Sequence, residues 1–507
     1  MVSLPFSALS RRQLLRTGVV AGAAGVLAGC RSPRRDATFV TPDGPQVRAA
    51  EAARHPGTVR EVRLTASADT VDIGGRTVAT WTYGGRLPGS PIRLTAGEVL
   101  RATLDNRLPG PTSIHWHGLA LRNDADGVPD VTQPAVAAGG EKMYEFTASQ
   151  PGTYWFHPHQ GVQLDRGLYA PLIVEDPHEP LGYDDEWVVV LDDWLDGVDG
   201  TPDDVLAELE HGMPSGGAMP SMSGMDMGGM DMGGHTLMGA GSDLLGGDAG
   251  DVKYPYFLIN GRRADAPAGY HGKPGTRLRL RIINAGADTA FRVALGGHRL
   301  TVTHTDGYPV QPVQADALLI GMGERYDAIV TLEHGVFPLV AAAEGKNAIA
   351  MAVIRTGSGT APAATTRPKE LHGNVVGAGD LHPDEAVRLP DRPADRTIKL
   401  ELTGGMDRYN WAVNGKPYDP ATITPVRAGE RVRIDYVNTT TMWHPMHLHG
   451  HTFAAGPAGV RKDTAIVLPK QTLTTVFDAV NPGIWMIHCH NVYHAEAGMM
   501  TLLGYLT

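Results

Sequence analysis

Four His-x-His pairs stand out in this chain of 507 residues: His115/His117, His157/His159, His447/His449 and His488/His490. Imidazole nitrogens bind transition metals through a lone pair. Residues i and i+2 of a strand point to the same face. Each pair therefore presents two imidazoles to one side, close enough to serve neighbouring metal ions. The pieces of a second site lie beside the last two pairs. His444 comes three residues before His447, His494 five after Cys489, and Met499 five after His494. Two imidazoles, a thiolate and a weak thioether form a blue-copper electron-transfer set. Zinc does not require a weak thioether. An iron–sulfur cluster needs several cysteines, and only Cys30 and Cys489 exist. Cys489 sits between His488 and His490 and would face the other side of their strand. An electron arriving at a metal on Cys489 then has only a short backbone bridge to cross to metals on its neighbours. The remaining eleven of the 21 histidines are read as structural.

An internal repeat supplies the elements that must position these groups. Gly97 to Asn106, Gly275 to Asn284 and Gly429 to Asn438 align without gaps, each a glycine turn followed by alternating apolar and polar residues. Period-two alternation predicts half-buried β-strands, and recurrence at this interval predicts three homologous β-sandwiches. Nine and eleven residues after the repeat asparagine come His115 and His117 in the first copy and His447 and His449 in the third. The middle copy has Val293 and Leu295 there. Pro151-Gly152 precedes His157-Pro158-His159 by the spacing at which Pro482-Gly483 precedes His488-Cys489-His490. The middle third offers only the apolar stretch Val336 to Ala343 in the corresponding place. The outer domains therefore carry the ligands, eight imidazoles from the pairs fit a cluster between them, and only the third can supply a thiolate.

Length alone suggests about three units of ~150 residues. With 63 Gly, 37 Pro and 6% aromatics, the composition suits a turn-rich β protein. A formal net charge of −11 argues against general nucleic-acid binding. The first 29 residues read as an address: paired Arg11-Arg12, then a mild apolar run from Thr17 to Gly29, too short for a membrane span of ~20 residues. Leu27-Ala28-Gly29-Cys30 resembles a bacterial lipoprotein box with Cys30 as the lipid-bearing residue, ordinary cleavage nearby being the alternative. The expectation is an exported, extracytoplasmic protein (periplasm or cell surface), anchored through Cys30 and monomeric, with no intrachain disulfide if Cys30 is lipidated. Met213 to Met238 holds eight of the 18 methionines, with His235, amid Gly, Ser and Asp. Such composition builds no packed core. It is either a flexible loop with incidental methionines or a set of thioether ligands for cuprous ions.

The blocks His115-Trp116-His117-Gly118, His157-Pro158-His159, His444 through Gly450 and His488 through Met499 resemble the multicopper oxidase family, which includes laccases and bacterial copper-resistance oxidases. The resemblance covers essentially the whole chain after residue 30. It implies an all-β fold of three tandem cupredoxin-like Greek-key sandwiches at 45–178, 183–358 and 393–507, with a linker at 359–392. It implies copper as cofactor: a type 1 ion on His444, Cys489, His494 and Met499, and a type 2 ion on His115 and His447. The type 3 pair would sit on His117, His157, His159, His449, His488 and His490. Substrate oxidation at type 1 would feed reduction of dioxygen to water. Asp126, in Ala125-Asp126-Gly127, resembles the family's proton-delivering acid, although Asp before Gly is also a turn former. Where several bacterial members have a Glu directly after the last type 1 histidine, this chain has Ala495 and then Glu496, which on a strand would face the wrong way. The methionines favour cuprous ion as reductant, with phenols secondary. A general laccase, a copper nitrite reductase and a non-catalytic copper store are the rival readings.

Overall fold

The computed structural model describes residues 38–211 and 234–507. The paired arginines, Cys30 and most of the methionine-rich segment lie outside the described residues.

The three repeat segments form the strands Val99–Arg107, Arg277–Asn284 and Arg431–Asn438. Each lies inside its sheet between a parallel and an antiparallel neighbour. The parallel partners are Val59–Asp72, Asp185–Trp194 and Arg396–Thr403; the antiparallel ones are Glu141–Thr147, Arg325–Thr331 and Thr472–Asp478. A second sheet accompanies each, giving six sheets among the described residues. The outer copies show the expected alternation of burial. The middle copy does not, because Arg279 and Arg281 at its polar positions are buried. Residues of the first sandwich cover that face: Arg281 donates to Thr153 Oγ1 at 3.0 Å, and both arginines reach Asp327. Charges survive burial only when paired and hydrogen-bonded in this way.

The asparagine that ends each repeat explains why that residue recurs. Its amide Nδ2 donates to the carbonyls of Gly110 and Val136 in the first copy, Thr289 and Ile320 in the second, and Met442 and Val467 in the third, at 2.7–3.1 Å. Its Oδ1 accepts from the backbone N–H two residues on, at 2.9–3.0 Å. One side chain thus closes the turn out of the first sheet and ties it to the segment that returns to that sheet.

In the outer sandwiches that second sheet carries the histidines. The strand His115–His117 pairs antiparallel with Gly152–His157, placing His115 opposite His157. The strand His444–Leu448 pairs with Ile484–Cys489, placing His447 opposite His488 and Met446 opposite Cys489. In the middle sandwich Phe291–Leu295 pairs with Val336–Ala343, and Val293 and Leu295 are core residues. The stretch 359–392 is partly built into that sandwich, since Val375–Val376 adds a strand beside Ala317–Ile320.

Candidate metal centres

All eight imidazoles of the four pairs converge where the first and third sandwiches meet. The ring of His115 stacks on His449 with centroids 3.8 Å apart, and His117 stacks on His447 at 3.9 Å. His157 lies 5.3 Å from His490 and His159 5.0 Å from His488. Three of the pairs straddle a strand end, since His159, His449 and His490 fall just beyond it. Trp155 forms one wall, its ring 4.5 Å from His157 and 5.1 Å from His117.

The hydrogen bonds aim the lone pairs inward. His115, His157, His447 and His488 donate Nδ1–H to the carbonyls of Asp126, Pro158, Asp463 and Cys489 at 2.8–3.0 Å. His449 donates Nδ1–H to Asp126 Oδ2 at 3.0 Å. Each is left with a bare Nε2. His488 and His449 then face each other Nε2 to Nε2 at 3.1 Å with no proton between them, an arrangement that calls for a cation. His117 is turned the other way, giving Nε2–H to Asp463 Oδ1 at 3.1 Å and pointing Nδ1 at His490. The Nε2 atoms of His115, His157, His159 and His447 are buried with no hydrogen-bond partner among the described residues. Burial first, and the neighbouring imidazoles second, hold His117, His157, His159, His449, His488 and His490 well below the usual imidazole value. Neutral, buried, inward-aimed imidazoles fit metal ions.

The second site lies on the other face of the Ile484–Cys489 strand. Cys489 Sγ is 3.7 Å from His444 Nδ1 and 3.6 Å from His494 Nδ1, and those two nitrogens are 3.1 Å apart. The outer nitrogens are committed elsewhere: His444 Nε2 to Thr440 Oγ1 at 2.9 Å, His494 Nε2–H to Asp251 Oδ2 at 2.8 Å. Met499 is buried beside them, its N–H bonded to the His494 carbonyl and its carbonyl accepting from Cys489 N–H. A thiolate and two lone-pair nitrogens brought this close, with a methionine alongside, fit a soft or borderline ion such as copper.

Two acids lie beside the histidine cluster. Asp126 ends a short 3-10 turn, Asn123–Ala125, and Gly127 follows at φ 82°. It is thus the turn residue its sequence suggested, and it also bridges the sandwiches by contacting His115 and His449. Its Oδ1 lies 3.2 Å from His115 Nδ1, whose proton goes to the Asp126 carbonyl instead. Glu496 does not lie on a strand. Val492–Glu496 is a short helix whose N-cap, Asn491, accepts from the N–H groups of Tyr493 and His494. The turn swings Glu496 to a cavity of about 20 Å³ lined also by His157, His159, His488 and His490, room for a water-sized molecule. Burial, with the charge of Glu210 adding to it, pushes its carboxyl up to about 7.

Sequence reasoning missed Asp463, Thr464, Asp251 and Thr440, the partners that orient the ligand rings. Nothing in their spacing sets them apart from the chain's other 53 acidic residues or its other threonines: Asp251, Asp463 and Thr464 reach His494 and His117 from distant parts of the chain, and Thr440, four residues before His444, belongs to no repeated pattern. Asp463 is held well below the usual carboxylate range. Burial acts against that, and the Arg325 guanidinium with the bonds to His117 and His447 outweighs it.

Comparison with known proteins agrees with this geometry. Family models described as multicopper oxidase match residues 65–179, 241–359 and 391–504. Multicopper oxidase MmcO of Mycobacterium tuberculosis is 48% identical over 98% of this chain and 97% of its own. A copper resistance protein A homolog of Pseudomonas syringae pv. tomato is 29% identical over 87% of this chain and 91% of its own. Among solved structures, the laccase from Botrytis aclada superposes with a TM-score of 0.70 at 25% identity, covering 88% of each chain. With its all-β, cupredoxin-like architecture, this chain belongs to the multicopper oxidase family, copper-dependent oxidoreductases that use oxygen.

Proposed function

We propose that the protein oxidises cuprous ion at the Cys489 site and passes the electrons to the histidine cluster, where dioxygen is reduced to water. Copper bound at the two sites would supply one-electron acceptance at Cys489 and four-electron delivery to dioxygen at the cluster. His444, Cys489, His494 and Met499 would hold the type 1 ion. His115 and His447 would hold type 2, and the other six imidazoles of the pairs the type 3 couple. The observation that carries the reading is the strand ending at Cys489: its thiol belongs to one site while the imidazoles of His488 and His490, one residue either way, belong to the other.

Cuprous ion is favoured over phenols by what surrounds His494. Asp251, buried, accepts from His494 Nε2 and from Tyr409 OH. The described chain resumes within the methionine-rich segment, at Gly234, and Leu237 N–H donates to the Asp251 carbonyl at 2.7 Å. A carboxylate touching the electron-accepting ligand, next to the end of a thioether-rich stretch, suits a small cation better than an aromatic ring. The resemblance to copper resistance protein A supports the same substrate; the laccase relatives support phenol oxidation as the second reading. Export and a lipid anchor at Cys30 complete the proposal, on the N-terminal sequence alone.

Dioxygen uptake by the copper-loaded protein, with cuprous ion and a simple phenol at matched concentrations, tests the reading. Uptake far faster with cuprous ion supports it, and deletion of residues 213–233, which spares the Leu237 bond to Asp251, then lowers that rate while leaving the phenol rate unchanged or higher. Uptake with the phenol alone makes the protein a laccase.

A further inference from the structure

The middle sandwich supplies none of the histidine ligands, yet one of its turns forms part of the cluster wall. Gly323 lies against the rings: a Cβ there would sit 2.8 Å from His490 Cδ2 and 3.1 Å from His117 Cε1. Two residues on, the fully buried Arg325 reaches all three sandwiches. Its Nε donates to the Thr153 carbonyl of the first at 3.0 Å, and Nη1 to the Gly323 carbonyl of its own at 3.1 Å. Nη1 and Nη2 fork onto the two oxygens of Asp463 in the third, at 2.7 and 2.6 Å. Asp463 in turn accepts from His117 Nε2 at 3.1 Å. The glycine after the first ligand pair makes room for this. A Cβ on Gly118, at φ +89°, would lie 2.3 Å from Arg325 Nη2 and 2.7 Å from Asp463 Oδ2.

We infer that Arg325 is a positioning residue for the histidine cluster: it fixes the Asp463 carboxylate, and through it the ring of His117, so that Nδ1 is the nitrogen offered to the metal. His117 is the member whose ring is turned the other way; Arg325–Asp463 turns it, with Thr464 Oγ1, itself donating to Asp463, also 3.1 Å from the same Nε2. The inference rests on the copper reading of the cluster. Lysine keeps the charge but not the planar fork, so Arg325→Lys retains an interdomain cation and loses the geometry. Gly118→Ala presses on the guanidinium and on Asp463 while removing no ligand and no charge from the sequence, although φ +89° strains any side chain there.

The test is copper retention against increasing chelator, with the blue absorption of the Cys489 site followed in the same samples. The expected result is that at least one of the two variants keeps its blue absorption but releases cluster copper at roughly 10–100-fold lower chelator concentration, the usual cost of losing a ligand's hydrogen-bond partner. Two results overturn the inference: both variants hold cluster copper as the unaltered protein does, or neither variant loses the cluster without losing the blue site with it. If the unaltered protein itself takes copper only at Cys489, the cluster reading fails instead, and the two failures are told apart by that control.

Discussion

At the scale of single residues, Asp126 and Glu496 face the histidine cluster from different sides and should fail differently. Asp126 holds two ligand rings, so Asp126→Asn should slow dioxygen reduction by roughly 10–100-fold while the Cys489 site still accepts electrons, as anaerobic bleaching followed by slow reoxidation would reveal. Glu496 binds no ligand and only lines the cavity; Glu496→Gln should lower turnover about 100-fold if it relays protons, with copper content unchanged. An unchanged rate would return Glu496 to a structural role. Cys489→Ser should abolish both blue colour and turnover, and colour surviving in that variant would sink the type 1 assignment. The convergence of the paired histidines was legible because their pattern is local: i, i+2 pairs, repeated. Asp251 and Asp463 were not, since each meets its histidine from a separate part of the chain, 243 and 346 residues away in sequence.

At the scale of elements, the threefold strand was readable from its period, but the asparagine closing each copy had no assigned purpose until its bonds were seen. Those bonds give a prediction free of the metal sites. Asn284→Ala in the middle copy removes three buried hydrogen bonds, each worth about 1 kcal/mol. Denaturant unfolding should show a loss of about 3 kcal/mol with copper content intact. The short helix at Val492–Glu496 was misjudged as strand because five residues carry almost no periodicity. Asn491 is an N-cap residue type, and was the one local mark of a helix start. That misreading alone made Glu496 look misdirected.

At the scale of the whole molecule, the number of sandwiches was legible and the way they lock together was not, because buried interdomain charges look like surface charges in a sequence. Arg279, Arg281 and Thr153 surround Asp327. Burial works to raise that carboxyl, the two arginines outweigh it, and it is held at about 2. Its folded value therefore lies below the unfolded ~3.9, so its stabilisation, about 2–3 kcal/mol, is complete above about pH 4 and is lost as pH falls toward 2. Thermal midpoints measured across that range should fall steeply, and by less in Asp327→Asn, which should be less stable above about pH 4 and approach the unaltered protein as pH nears 2. The stacked rings at the join of the first and third sandwiches carry a further consequence. His117 and His490, 373 residues apart, must meet before the cluster exists, and each outer sandwich alone holds only half of its imidazoles. A nascent or truncated chain therefore has no partly competent version of the site. Assembly of the cluster becomes a certificate of completed synthesis, and a ribosome-stalled fragment ending before His447 should hold no copper with the cluster's resistance to chelators.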